Sequence, residues 1–108
     1  MNRPFMARQG DILITRIDTL PASATQVKKD EKNRFVLAEG EATGHAHAVI
    51  DDVDQHSMYV DGELRYLSVG IATALKHEEH TFIPLEPGIY EFRRQREYTP
   101  AAIRPVFD

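Results

Sequence analysis

Histidine provides the clearest sign of chemistry in this sequence. The segment GEATGHAHAVIDD, residues 40–52, places His45 and His47 one residue apart. Side chains two residues apart on a strand point to the same side, so both imidazoles would project together and could ligate one ion. The alternative is a pair of surface histidines on a half-exposed strand. The pattern by itself favours neither interpretation.

A second histidine group begins 30 residues after His47, in the segment KHEEHTF at 76–82. Four of the five histidines therefore fall into two short groups. Imidazole combined with carboxylate suits zinc, iron, manganese or nickel and needs no cysteine. We therefore predict a divalent-metal site whose candidate ligands are His45, His47, His77, Glu78, Glu79 and His80. One alternative is a charged, histidine-rich turn whose charges are neutralised by local pairs. Another is a hydrogen-bonded network of histidine and glutamate without metal. Whether His77 or His80 turns inward stays open, and His56 is predicted to be a surface residue.

The elements that must position these groups have the pattern of strands almost throughout. Alternation or β-branched composition predicts strands at 10–17, 35–40, 45–50 and after the Pro87-Gly88 turn. The segment 71–77 would suit a helix through its alanines, but Gly70 and Thr73 favour a strand there. The dipeptide Asp61-Gly62 between two apolar runs predicts a hairpin of 56–60 with 63–69 around a type I′ turn.

These strands predict an all-β fold, a single small barrel or sandwich of about seven or eight short antiparallel strands. We expect one domain over 1–108, because no linker or repeat divides the chain. Within it we predict an irregular N-terminus at 1–9, an exposed loop at 18–33 and an irregular C-terminal tail at 99–108.

Composition narrows the class of protein. The 108 residues are 42% hydrophobic and 28% charged, which is ordinary for a globular domain. The absence of cysteine excludes disulfides and thiolate metal sites. No run approaches the roughly 20 apolar residues that a membrane span needs, and the start does not resemble a secretory signal. A cytoplasmic location without membrane contact is the expectation.

The charge distribution bears on partners. The net charge of −4 argues against a protein that coats nucleic acid. The window Phe35–Leu64 contains seven carboxylates and no lysine or arginine, whereas RRQR at 93–96 is basic. Arg93 and Arg94 would fall on opposite faces of a strand, so one of them must meet a carboxylate or a partner. We predict a possible protein-partner surface at Arg93–Arg96, and self-association into a homo-oligomer through edge strands.

The histidine motifs resemble those of cupins, small β-barrels that hold a metal through an HxH pair, a following Glu and a distant His. His45 and His47 match the pair, Asp51 stands where a cupin has its Glu, and His80 follows. This resemblance implies a metal-dependent enzyme, either a hydrolase or an oxygenase. Two features depart from it: aspartate is the shorter side chain, and the late histidines precede the Pro87-Gly88 turn instead of following it.

A broader resemblance covers nearly the whole chain from Gln9 onward. The succession QGDILI, LAEGEATGHAHAV, RYLSV and LKHEEHTFIPLEPGIYEFRRQREYTP is similar to a group of small uncharacterised bacterial proteins, also found in mobile-element contexts. That group has no assigned activity, so the resemblance implies a shared site without naming its function.

Three functions from different classes follow from these observations. The first is a small β-domain that binds a divalent metal through both histidine groups in a non-catalytic or regulatory role. The second is a metal-dependent enzyme in which Glu78 or Glu79 accepts a proton. The third is an oligomeric interaction protein without metal, in which histidines hydrogen-bond across an interface. The sequence does not identify the metal, a substrate or catalytic residues.

Overall fold

The structure is a computed structural model that describes residues 5–40 and 44–95. Over these residues the chain forms strands and no helix, and every paired strand is antiparallel, so the predicted all-β class is confirmed. Ten strands replace the seven or eight that were predicted. They are β1 (Met6–Gln9), β2 (Ile12–Ile17), β3 (Thr25–Val27), β4 (Arg34–Glu39), β5 (Ala46–Ile50), β6 (His56–Asp61), β7 (Leu64–Val69), β8 (Thr73–Leu75), β9 (Ile83–Leu85) and β10 (Gly88–Arg94).

The strands form one large sheet and two strand pairs. The six-stranded sheet has the order β1-β2-β10-β7-β6-β3, while β4 pairs with β5 and β8 pairs with β9. Among the described residues, β1 and β3 remain edges of the large sheet, so strand pairing does not close it into a barrel. An isolated antiparallel bridge between Ala48 and Lys76 links β5 to the chain that follows β8.

The predicted hairpin exists, but its turn lies one residue later than expected. Asp61 pairs with Leu64, so the two loop residues are Gly62 and Glu63. Gly62 has φ +63°, and Glu63 is not among the residues with positive φ. A type II′ turn needs positive φ only at its first central position, where glycine is favoured, whereas type I′ needs it at both. Glycine at the first loop position therefore selects this register.

The apolar core lies between the sheets. Alternation places Ile12 and Ile14 of β2 inside, and Tyr90 and Phe92 of β10 are buried beside them. Arg16 is on the same side of β2 but lies near the end of the strand and is exposed. The hydroxyl of Tyr90 donates to the carbonyl of Glu86 at 2.6 Å, so this buried polar atom is satisfied. The other members of the core are Phe35, Leu37, Ala38, Val49, Met58, Leu67, Val69, Leu75 and Leu85.

Two segments that were predicted to be irregular contain strands. β1 lies within 1–9 and pairs with β2 from Met6–Thr15 to Gln9–Ile12, and β3 lies within 18–33 and pairs with β6. Both are short edge strands whose pairing depends on a neighbour, so their own composition does not show it. The predicted tail at 99–108 lies outside the described residues. The described part of the chain contains no helix long and apolar enough to span a membrane.

Candidate metal centre

The two histidine groups lie together in the structure. The ring centroid of His77 is 4.4 Å from that of His47, 4.5 Å from that of His80 and 5.6 Å from that of His45. His47 and His77 are buried, His45 is partly buried and His80 is exposed. The four imidazoles come from two groups that are 30 residues apart in sequence. They form one cluster, which extends from the interior to the surface.

The Ala48–Lys76 bridge brings the groups into contact. The N–H of Ala48 donates to the carbonyl of Lys76 at 2.9 Å, and the N–H of Lys76 donates back at 2.8 Å. This pair of bonds sets His77 beside His47. The N–H of Ala46 then donates to Oε1 of Glu78 at 3.0 Å, which ties the next residue to the start of β5. This hydrogen bond lowers the pKa of Glu78, so its side chain is a carboxylate at neutral pH.

Three of the predicted ligands are close enough to share one ion. His45, His77 and Glu78 each offer a ligand atom within 4.8 Å of the other two. The Nδ1 atom of His45 is buried and has no hydrogen-bond partner in the described part of the chain. The nearest carboxylate oxygen of Glu79 is 3.8 Å from it, which is too long for a hydrogen bond. A possible metal-binding group of two histidines and one glutamate is therefore present.

His47 lies beside this group with a defined tautomer. Its Nδ1 is 2.8 Å from Oε1 of Gln9, while the amide of Gln9 donates to the carbonyls of Leu75 at 3.0 Å and Thr81 at 2.9 Å. Because both amide hydrogens are used, Oε1 must accept a hydrogen bond from His47 Nδ1–H. The lone pair of neutral His47 is consequently on Nε2, the arrangement in which a histidine is ready to ligate a metal or accept a proton.

His77 has the opposite tautomer. Its Nδ1 accepts a hydrogen bond from the N–H of Glu79 at 3.0 Å, so the neutral ring carries its proton on Nε2. A cation could bind Nδ1 only in place of that N–H. It could bind Nε2 only after the proton moved to Nδ1, where it would face the same N–H. Ligation by His77 through either nitrogen therefore requires this hydrogen bond to break.

Two glycines leave room for the imidazoles. A Cβ on Gly10 would lie 2.9 Å from Nε2 of His80 and 3.3 Å from Cε1 of His47, and the φ of +61° at Gly10 also disfavours a side chain. A Cβ on Gly40 would lie 2.8 Å from Cβ of His45 and 2.9 Å from Nε2 of His77. The cluster thus depends on close backbone approach at both positions.

A cleft of about 220 Å³ opens over the cluster, bounded by the four imidazoles, Gly10, Asp11 and Glu79. Arg94 holds Asp11 through an ion pair and also donates to the carbonyl of Glu39 at 2.7 Å. Both arginines therefore meet a carboxylate, because the exposed Arg93 also lies 3.3 Å from an oxygen of Glu91. Arg96, the last residue of the predicted partner surface, lies outside the described residues.

The electrostatics of the cleft keep His47 neutral. Burial first, and then the neighbouring His77, lower the pKa of His47 from 6.5 to about 4. At neutral pH its Nε2 lone pair is therefore available.

Two sequence-based interpretations require correction. His56 is buried at 9% exposure, and its Nδ1 accepts from the N–H of Gly70 at 3.2 Å, so it is not a surface residue. Asp51, which takes the place of the cupin Glu, lies at the far end of β5 from His45. Its two oxygens accept from the N–H groups of Gln55 at 3.0 Å and His56 at 3.3 Å, and it is no part of the cluster. The cupin resemblance is thus not confirmed.

Comparison with known proteins assigns the chain to a family. The model of a domain of unknown function, DUF8820, matches residues 8–95. The chain belongs to this family. No curated protein and no solved structure matches the chain. The matched residues include both histidine groups and Gln9, so the whole cluster lies inside the family's domain.

Sequence reasoning overlooked Gln9, Gly10 and Asp11 as parts of the site. Gln9 ends β1, and Gly10 and Asp11 form the turn to β2, where the only local signal is the turn glycine. Their role depends on contacts with residues more than 30 positions away, such as the bond between Gln9 and His47. Gly40 was predicted only as the end of the strand at 35–40, so its close approach to His45 and His77 was missed as well.

Proposed function

We propose that this DUF8820 domain binds one divalent transition-metal ion, zinc, iron, manganese or nickel, through His45, His77 and Glu78. The observation that carries the proposal is the buried Nδ1 of His45, which has no hydrogen-bond partner among the described residues and lies near two other metal-binding groups. A buried polar atom without a partner is costly, and a cation would supply one. His47 and His80 complete the cluster around that position.

The proposed role is structural or regulatory rather than catalytic. Residues 77–82, which carry four of the six candidate ligands, lie between β8 and β9 and belong to no strand. An ion shared with His45 would tie this segment to β5. Metal binding would then stabilise the folded state, because the unfolded chain has no preformed site.

A metal-dependent enzyme is the second candidate, and the open cleft favours it. Two histidines and one glutamate leave a fourth position of tetrahedral zinc for water, which the metal would make more acidic. His47, neutral and with its lone pair on Nε2, lines the same cleft and would accept a proton there. Glu79 also lines the cleft and is the second candidate proton acceptor.

The test begins with metal content. Protein purified without a nickel column should contain about one divalent ion per chain by elemental mass spectrometry, and a chelator should lower its Tm reversibly. Glu78→Gln keeps an acceptor for the N–H of Ala46 but removes the charge, so it should weaken metal affinity at least about tenfold. Glu63→Gln, in the exposed hairpin turn, is the matched control and should bind normally.

Two outcomes would count against the proposal. A protein without metal, whose melting curve responds to neither zinc nor chelator, would favour an oligomeric interaction protein without metal. Full metal affinity in Glu78→Gln would show that other groups of the cluster hold the ion.

A further inference from the structure

A second cleft lies on the face of β5 opposite to His47, and its wall includes His77 and Glu78. His47 and Val49 alternate along this strand with Ala46, Ala48 and Ile50, so the two sets lie on opposite faces. A cavity of about 210 Å³ opens on the alanine side. One strand thus serves two clefts.

Small side chains create this second cleft. Ala48 pairs with Val36 of β4 on one side and with Lys76 across the isolated bridge on the other. The middle one of three adjacent chain segments therefore carries only a methyl group at this point. The side chains of Ile50 and Phe82 border the depression and remain 43% and 52% exposed. The result is an apolar floor and wall open to solvent.

Two cations stand at the border of this apolar surface. Lys76 has no ion pair in the part of the chain that the structure describes, and its Nζ lies 5.4 Å from the ring centroid of Phe82. Arg34 lies opposite Ile50, and its Nε binds Asp30 at 2.7 Å. Its terminal Nη groups make no hydrogen bond with the described residues, so they remain available as donors.

The one carboxylate in the wall of the cleft lies at one end of it. Glu78 keeps its negative charge and accepts the N–H of Ala46 at the start of β5, whereas Arg34 pairs with Ile50 at the other end of the strand. The part of the cleft bordered by Arg34 and Lys76 is therefore the positive part.

We propose that this second cleft binds a small organic acid with an apolar body. The body packs on Ala46, Ala48 and Phe82, and the carboxylate is bound by Lys76 and the free face of the Arg34 guanidinium. The size of the cavity selects a small molecule over a peptide segment. His77 and Glu78 border this cleft and also belong to the candidate metal group. The contacts proposed for the organic acid involve neither residue and do not require a metal ion.

The probe is phenylacetate, compared with phenylacetamide, which has the same shape without the charge. Both are titrated into metal-free protein and followed by amide chemical shifts. Phenylacetate should shift the amides of Ala46, Ala48, Ile50 and Lys76 with a Kd of about 1 mM, as expected for a fragment of this size. Phenylacetamide should bind more weakly at the same place.

Lys76→Gln removes the charge from an exposed side chain and should weaken phenylacetate binding about two- to fivefold, while leaving phenylacetamide unchanged. Lys28→Gln, an exposed lysine outside the cleft, is the matched control and should behave as wild type. Phe82→Ala, also at an exposed position, should weaken both ligands through lost apolar contact.

Equal affinities for acid and amide would overturn the proposal, as would shifts confined to the histidine cleft. Shifts at the same four amides that depend on protein concentration without any ligand would also overturn it, because they would show that a second copy of the chain covers this face. Since the titration uses metal-free protein, each result leaves the metal proposal untouched.

Discussion

His47 and His77, which are neighbours in the cluster, have their lone pairs on different ring nitrogens. His47 has its lone pair on Nε2 because Gln9 uses both amide hydrogens elsewhere and can only accept from Nδ1–H. His77 has its lone pair on Nδ1 because the N–H of Glu79 occupies that atom. One ring needs no rearrangement to bind a cation, and the other must lose a backbone hydrogen bond.

This difference predicts a specific response of the Glu79 amide to zinc. If His77 is a ligand, the bond from the Glu79 N–H breaks, and the amide proton should move upfield and exchange faster with solvent. The measurement is an amide-resolved zinc titration. The N–H of Gly70, which donates to His56 Nδ1 at 3.2 Å, is a matched control away from the cluster and should not change. Stoichiometric zinc binding with an unchanged Glu79 amide would exclude His77 and favour His47 Nε2.

At the scale of elements, the connection between β5 and β6 is organised by a buried carboxylate. Asp51 is 1% exposed and accepts two backbone N–H groups. Burial alone would raise its pKa, but the hydrogen bonds from Gln55 and His56 lower the pKa below the ordinary value. Lys29 caps the same turn by donating to the carbonyl of Asp51 at 2.7 Å and to Asp54 at 2.6 Å.

Asp51→Asn should destabilise the protein by about 1–3 kcal/mol, because an amide has one acceptor oxygen and leaves one buried backbone N–H facing its NH₂ group. Urea unfolding measures the change. Asp52→Asn is the matched control. Asp52 is exposed, its side chain accepts one bond from the described residues, at 3.3 Å from Asn33, and the substitution should change stability by less than about 0.5 kcal/mol. Equal effects at the two positions would contradict this account of the turn.

At the scale of the whole molecule, the buried His47 should make the metal-free protein sensitive to acid. Its folded pKa of about 4 lies below the unfolded value of 6.5, so between these pH values the unfolded chain binds a proton that the folded chain does not. Stability should therefore be complete above about pH 6.5 and fall toward pH 4, by on the order of 3 kcal/mol from this residue.

His47→Asn keeps an N–H donor for Gln9 but cannot titrate. The free-energy difference between wild type and this variant, measured by denaturant unfolding in metal-free buffer, should shrink as the pH falls through this window. His56, whose pKa is also lowered by burial, contributes equally to both proteins and cancels in the comparison. Parallel stability curves across the window would show that His47 is not the titrating group.

Much of the fold was predictable because its signals are local. The strict alternation of Ile12 and Ile14 with their neighbours, and the glycine between two apolar runs near residue 62, depend only on adjacent residues. The edge strands β1 and β3 were missed because a three- or four-residue strand becomes visible only through the neighbour that pairs with it. His56 was misjudged for a related reason: its burial comes from packing beside Asp51 and Gly70, not from its own segment.

For the candidate site, the sequence by itself determined the chemistry that is available. It contains no thiolate and concentrates four imidazoles in two groups. It also predicts His45 and His47 on one face of a strand, but β5 begins at Ala46, so only His47 lies within it. Only the tertiary structure decided how these groups meet, through the Ala48–Lys76 bridge, and which tautomer His47 adopts, through Gln9. Side-chain alternation follows from the geometry of a single strand, whereas the pairing of distant segments follows from the register of the whole fold, to which no local pattern corresponds.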